Sequence, residues 1–243
     1  MPESTSYGQF CPVAMAAEIV CSRWTPLLIR ELMSGSTRFN DLRRGVPRMS
    51  PTLLSKRLKE LEQSGIVMVD RSAGTSDYRL TSAGEELRPI VMALGNWGQR
   101  WVETELTLRT LDPTLLMWDM RRGLRISPPP DLRCTIRFHF PEMKSNQRSY
   151  WLVVEPEGSV DLCYVDPGYP IDIYVEGSLR SMTAVWMGLS RLNAEREAYR
   201  LEIDGDRGLV QSFCGWLALS PFAREAKRPD ASIRPAPHRV IAA

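Results

Sequence analysis

Apolar residues in this chain follow two rhythms. In the first hundred or so positions they recur three and four residues apart, and beyond residue 130 they alternate in short runs. The first rhythm turns one face of a helix toward a core, and the second half-buries a strand. Val13, Ala16, Ala17 and Val20 make an apolar face on a first helix that begins near Cys11-Pro12, where proline suits the first turn. Residues 23–33 predict a second helix stopped by Gly35, and residues 38–44 a short third one with Phe39 and Leu42 inward. The fourth has the clearest start, with Ser50 as N-cap and Pro51 in the first turn. Its Leu54, Leu58 and Leu61 stand at i, i+4 and i+7, and Gly65 ends it. Residues 66–71 and 77–80 read as two strands joined by a flexible tip at Gly74, Thr75 and Ser76. Ser82 and Glu85 have capping-box spacing and open a long helix. Leu87, Ile90, Val91, Leu94, Trp97 and Trp101 lie along one stripe of it. So apolar a stripe calls for a cover. Either a second copy supplies it, with Val13, Ala17 and Val20 of the first helix in the same dimer interface, or the rest of the chain does.

In the second half, Asp112-Pro113 and the run Pro128-Pro129-Pro130 bracket an amphipathic helix over residues 115–124. Residues 132–140, 150–154, 160–165, 171–175 and 201–203 are strand candidates, and residues 178–192 and 208–219 are helices. Strands first and helices after them predict an α+β domain with helices on one face of a sheet. Two domains are therefore expected, residues 1–109 and 110–243, with residues 1–9 and the tail after Phe222 loosely ordered.

Composition narrows the chemistry. With 43% apolar and 25% charged residues, the 243-residue chain is globular. The net charge is only +2, but residues 23–79 hold 11 Lys and Arg against 6 Asp and Glu, and residues 110–243 hold 17 of each. The excess positive charge thus sits on the helical half, where phosphates would draw it. Five widely spaced cysteines without a Cys-x-x-Cys motif, and only His139 and His238, make a zinc site improbable and fit free thiols in a reducing cytoplasm. No secretory leader and no membrane-length apolar run is visible. No nucleophile elbow, phosphate-binding glycine loop or metal cluster points to an enzyme, and no cofactor is expected.

The fourth helix carries the candidate chemistry. Thr52, Ser55, Lys56 and Lys59 fall opposite its leucine stripe, which gives short hydrogen-bonding groups and positive charge on one face, as major-groove contact requires. Ser50 begins that face. Arg38, Arg48 and Arg57 are expected at phosphates, and Gly74, Thr75 and Ser76, with Arg71 and Arg79 beside them, at the flanking groove or backbone.

Several of these pieces together resemble the HxlR-type winged helix-turn-helix transcriptional regulators. They are Cys11-Pro12-Val13, Arg23-Trp24-Thr25, Ile29-Arg30-Glu31-Leu32, Arg38-Phe39-Asn40-Asp41-Leu42-Arg43, the helix from Ser50 to Leu61, Gly65-Ile66-Val67, Tyr78-Arg79-Leu80-Thr81 and Gly95-Asn96-Trp97. The resemblance implies a homodimer on a pseudo-palindromic operator in double-stranded DNA. It also implies a thiol switch at Cys11, since members of the family sense oxidants or electrophiles through this Cys-Pro cysteine; the alternative is an inert, packed thiol. Residues 110–223 resemble the sterol-carrier-protein type 2 fold through Val160-Asp161-Leu162-Cys163-Tyr164-Val165-Asp166-Pro167-Gly168, Val185-Trp186-Met187-Gly188 and the segment from Phe213 to Leu219. That likeness implies an apolar pocket lined by Trp118, Phe138, Trp151, Tyr164, Val185, Trp186, Leu189, Phe213 and Trp216, open to an apolar small-molecule effector; the alternative is plain core. The expected fold class is α+β, a mainly α winged helix-turn-helix with a β-wing followed by a sterol-carrier-like α+β domain. The competing function is a lipid or acyl carrier that uses the winged helix for protein contacts, without membrane association.

Overall fold

The computed structural model describes residues 6–72, 74–109, 111–228, 230 and 233–234. They divide into two compact units, Met1–Leu94 and Gly95–Ala243. The division lies inside the long helix rather than at residue 109.

The first unit packs α1 (Pro12–Val20), α2 (Thr25–Met33), α3 (Phe39–Gly45) and α4 (Pro51–Gln63), then a ribbon of β1 (Val67–Asp70) and β2 (Asp77–Leu80). Leu28, Ile29, Leu42, Leu54, Leu58, Leu61 and Val67 form its core. All but Val67, which comes from β1, are helical-period positions of α2 to α4, and each fully buried leucine-sized side chain stabilises the fold by about 1.5–3 kcal/mol. The ribbon is antiparallel, with Val67 opposite Leu80 and Asp70 opposite Asp77. Arg38 adds a bridge to Asp77 along its free edge, and the Tyr78 amide donates to the Thr37 carbonyl at 2.8 Å.

The long helix expected from Ser82 is broken. Thr81, not Ser82, is the cap: its hydroxyl accepts from the Gly84 amide and donates to the Gly65 carbonyl. Only α5 (Ser82–Glu85) follows, and α6 (Arg88–Trp101) starts afresh. Pro89 explains the break, since it lacks an N–H and fits only a first helical turn. Glycine is required at position 84, where a Cβ would lie 2.3 Å from the Ile66 carbonyl oxygen.

The second unit contains the end of α6, then α7 (Thr104–Thr107), α8 (Pro113–Gly123) and a five-stranded sheet in the order β5-β4-β3-β6-β7. The strands are β3 (Cys134–His139), β4 (Ser149–Val154), β5 (Val160–Cys163), β6 (Ile173–Gly177) and β7 (Leu201–Gly205). All pairs are antiparallel except β3 with β6. The connection from β5 to β6, residues 164–172, therefore has to cross β4 and β3. The helix expected over residues 178–192 ends early, as α9 (Leu179–Trp186), because the chain turns at Gly188 in left-handed backbone, φ 70°, and a separate α10 (Leu192–Glu197) follows. With α11 (Arg207–Trp216), α8 and α9 cover one sheet face. There Met117, Met120, Met182, Val185, Phe213 and Trp216 meet Ile136, Phe138, Leu152 and Val175.

The end of α6 packs within this unit. A Cβ at Gly95 would strike the Phe222 ring at 2.2 Å, so glycine lets that ring approach the helix. Beyond Phe222 the expected loose tail is held as far as it is described. Arg100 pairs with Glu225, Arg228 lies over the Trp101 ring, and Arg234 pairs with Glu103. Residues 1–5 and 235–243, including His238, lie outside the described residues. Among the described residues, no helix is long and apolar enough to cross a membrane, and no cluster of His, Cys, Asp and Glu could hold a metal.

Candidate nucleic-acid interface

α4 is set by its two ends and its buried side. The Ser50 hydroxyl accepts from the Leu53 amide at 3.3 Å, and Pro51 takes the first helical position, where no hydrogen-bonded amide is needed. Leu54, Leu58 and Leu61 lock the helix against the core, which leaves Thr52, Ser55, Lys56 and Lys59 exposed together on the opposite side. Arg48 is exposed in the turn ahead of it, while its neighbour Met49 is buried.

The cations around this face sort into two groups. Among the described residues, Lys59 and Arg48 form no ion pair, and Lys56 Nζ stands 3.9 Å from Glu60. The others are engaged. Arg57 is three-quarters buried and bonds Glu60 and the Ser22 hydroxyl. It thus ties α4 to the turn before α2, and the structure does not present it as an open phosphate contact. Arg71 bonds Glu62 through two nitrogens, at 2.9 and 3.0 Å. Arg79 donates to Asp77 at 2.8 Å, and Arg38 lies 3.7 Å from the same carboxylate while donating to the Thr75 hydroxyl. Arg79 holds the Asp77 carboxyl below its ordinary value, and Arg71 does the same for Glu62. In these pairs the guanidinium ends are exposed and the carboxylates half-buried, so the pairs are weak and screened by salt.

Asp77 is the residue that sequence reasoning missed. It joins α3's leading residue Arg38, the wing strand residue Arg79 and, through Arg38, the wing tip at Thr75. The signal was present in the alternation Asp77-Tyr78-Arg79, which puts a carboxylate and a guanidinium on one face of β2. Gly74 and Thr75 are exposed at the tip, and Ser76 is half-buried.

The expected dimer residues separate. Val13, Ile90, Leu94 and Trp97 are exposed. Ala17, Val20, Leu87 and Trp101 are half-buried. Val91 is buried in the first unit's own core, and Leu87 packs against that core. Those two therefore face inward. The expected pocket residues are packed together: Phe138, Val185, Trp186, Phe213 and Trp216 are core, with Phe138 and Phe213 edge to face at 6.1 Å. Tyr164 packs on that core, and Leu189 is half-buried. Trp118 is buried beside the guanidinium groups of Arg121 and Arg122. Trp151 lies on the opposite face of β4 from the core residues Tyr150 and Leu152. The nine do not line one open cavity; a ligand among them would have to part packed side chains. All five cysteines are free thiols, and Cys11 is exposed at the head of α1.

Residues 19–106 match the family described as HxlR-like helix-turn-helix. The chain is 35% identical over 100 residues to the uncharacterized HTH-type transcriptional regulator YvaP of Bacillus subtilis (strain 168), spanning 40% of this chain and 93% of that protein. It is 32% identical over 101 residues to the uncharacterized HTH-type transcriptional regulator sll1512 of Synechocystis sp. (strain ATCC 27184 / PCC 6803 / Kazusa), spanning 40% of this chain and 75% of that one. Among solved structures it is similar to the redox regulator HypR in its reduced form, with 33% identity, 37% of this chain and 91% of that chain covered, and a TM-score of 0.34.

Proposed function

Because the chain belongs, through its N-terminal hundred residues, to the HxlR-like helix-turn-helix family of DNA-binding transcriptional regulators, we propose that it binds a pseudo-palindromic operator as a homodimer and reads it with α4. The observation that carries this reading is the capped, leucine-anchored α4 with Thr52, Ser55, Lys56 and Lys59 together on its open side. Short hydroxyls reach base edges, and the two lysines reach edges or the adjoining phosphates. Arg48, and Arg38, Arg71 and Arg79 once they exchange Asp77 and Glu62 for phosphate, position the protein without reading sequence. Two copies of α4 about 34 Å apart would enter successive major grooves on one side of the duplex.

Dimerisation is supported by the exposed apolar positions Val13 on α1 and Ile90, Leu94 and Trp97 on α6, which need a cover that a second copy supplies. The carrier alternative has less support, since the interior it needs is occupied by Phe138, Phe213 and Trp216. The residues after 110 are proposed as a sterol-carrier-like sensing domain on the strength of the mixed sheet covered by helices. Its effector would shift DNA affinity only by favouring one of two states of the dimer. The exposed thiol of Cys11 supports a second input, an electrophile or oxidant switch; a Cys11→Ser variant whose operator binding still responds to electrophiles removes it.

The test is fluorescence anisotropy of the full chain with DNA from upstream of its own gene, against a scrambled duplex, at two salt concentrations. Tight, salt-sensitive binding that favours the upstream DNA supports the reading. Lys56→Ala weakens that binding without lowering the melting temperature. Equal affinity for both duplexes, or normal affinity in Lys56→Ala, counts against α4 as the reading helix.

A further inference from the structure

The face of the five-stranded sheet turned away from its helices carries a row of side chains in which two neighbouring donors lack acceptors. Strand register puts Cys163, Trp151, Arg137, Tyr174 and Asp204 side by side across β5, β4, β3, β6 and β7. Residues paired across a sheet share a face, so all five lie on the same side. Trp151 is 8% exposed, and its indole Nε1 is buried without a hydrogen-bond partner. Arg137, its direct cross-strand neighbour, also has a buried Nε without a partner. The guanidinium lies 6.0 Å from the Trp151 ring centroid, and among the described residues its hydrogen bond to another side chain is a long 3.4 Å contact to the Ser149 hydroxyl. Among the described residues, no carboxylate comes within ion-pair distance of Arg137.

Two adjacent orphaned N–H donors on the middle strands of a sheet are costly, because each has given up water for nothing. Donors without acceptors, one of them a cation, call for an anionic acceptor. The surroundings limit what kind. Asp204 in the same row, and Glu176 on β6 one step along the same face, disfavour a multiply charged phosphate. The rings of Trp151 and the exposed Tyr174 on either side of Arg137 favour a flat apolar body. Asp172 exchanges two hydrogen bonds with Thr135, at 2.8 and 3.0 Å, and Thr135 and Val153 are 1% and 3% exposed where the strands lead away from the row.

We propose that Arg137 and Trp151 form a binding site for a small aromatic monocarboxylate, whose carboxylate takes the Arg137 and Trp151 N–H donors and whose ring lies between Trp151 and Tyr174. The site is distinct from the apolar core on the other sheet face, and it stands whether or not α4 reads DNA. Both Arg137 Nε and Trp151 Nε1 are buried, so binding requires both side chains to shift.

The experiment is a titration of the 15N-labelled full chain with benzoate, followed at the tryptophan indole N–H signals, with Trp151→Phe used to identify the Trp151 signal. Benzyl alcohol is the uncharged control, and inorganic phosphate the control for a bare anion. The Trp151 signal should move saturably with benzoate and with neither control. Arg137→Gln should weaken the response about tenfold, as loss of a charge-assisted hydrogen bond implies, while the unmoved signals of the other tryptophans show the fold intact. No saturable shift at millimolar benzoate, an unchanged response in Arg137→Gln, or a response to phosphate in place of benzoate would each overturn the proposal.

Discussion

The arginines around α4 and Arg137 on the sheet of the second unit meet different circumstances, although Arg57, like Arg137, has a buried Nε without an acceptor. Around α4, Arg38, Arg57, Arg71 and Arg79 each find a carboxylate of their own unit in Asp77, Glu60 or Glu62. On the sheet of the second unit, Arg137 finds none among the described residues, and its Nε and the neighbouring Trp151 Nε1 are buried without acceptors. For Arg38, Arg71 and Arg79 the first arrangement leaves positive charge at the surface in weak, salt-screened pairs, while Arg57 is three-quarters buried. The second leaves donors buried and unsatisfied, which favours a specific acceptor over a diffuse polyanion. The first unit keeps its wing arginines in carboxylate pairs, and the second leaves two neighbouring donors on its sheet without acceptors.

That contrast can be broken or sharpened by substitution. The largest effect is expected for Leu58→Ala in the leucine stripe of α4. It should cost about 2–5 kcal/mol of the first unit's stability. Hydrogen exchange should show protection lost in α2 to α4 and retained in β3 and β4; equal loss in both would deny the units separate cores. Next comes Glu195→Gln in the second unit. Glu195 is nearly buried and takes two hydrogen bonds from Arg200, at 2.7 and 3.0 Å, with a further one from Ser190. Arg200 foremost holds its carboxyl at about 2, below the ordinary 4.5. A carboxyl depressed by folding stabilises the native state above its unfolded value and loses that contribution as pH falls from 4.5 toward about 2. Glu195→Gln should therefore cost about 1–3 kcal/mol at neutral pH and flatten the acid limb of the stability curve. Urea denaturation across that range measures both.

Smaller effects test the parked charges. Lys59→Ala should reduce the slope of log affinity against log salt by about 1.8, the share of one phosphate contact in each subunit of the dimer. An unchanged slope would take Lys59 off the duplex. Asp77→Asn, which releases Arg38 and Arg79, should raise affinity for scrambled DNA by about two- to threefold and leave operator affinity nearly level. If scrambled-DNA affinity falls instead, Asp77 serves to aim the two arginines.

Legibility differed between the units for a physical reason. Helices of the first unit are fixed by contacts three or four residues apart, by a serine cap and by prolines at first turns, so α2, α3, α4 and both wing strands lie within two residues of where their patterns put them. The break between Thr81 and α6 was missed because a capping-box spacing outweighed Pro89. In the second unit the strands were visible as alternating runs, but their order was not. Trp151 illustrates the cost. It was grouped with Phe138 and Trp216 as one apolar lining, yet register places it on the far face of the sheet, beside Arg137.

By itself the sequence determined the local elements, the leucine-anchored α4 with its hydroxyl and lysine face, and the excess of positive charge over residues 23–79. These depend on periods of two and 3.6 residues, which any short stretch of chain displays. Only the tertiary structure decided which arginines are engaged, that Val91 and Leu87 face inward while Ile90 and Leu94 do not, and that Arg137 and Trp151 stand together without partners. Those outcomes depend on residues brought close from distant positions, as when register pairs Arg137 with Trp151 and Tyr174. Residue spacing along one strand says nothing of what lies across from it.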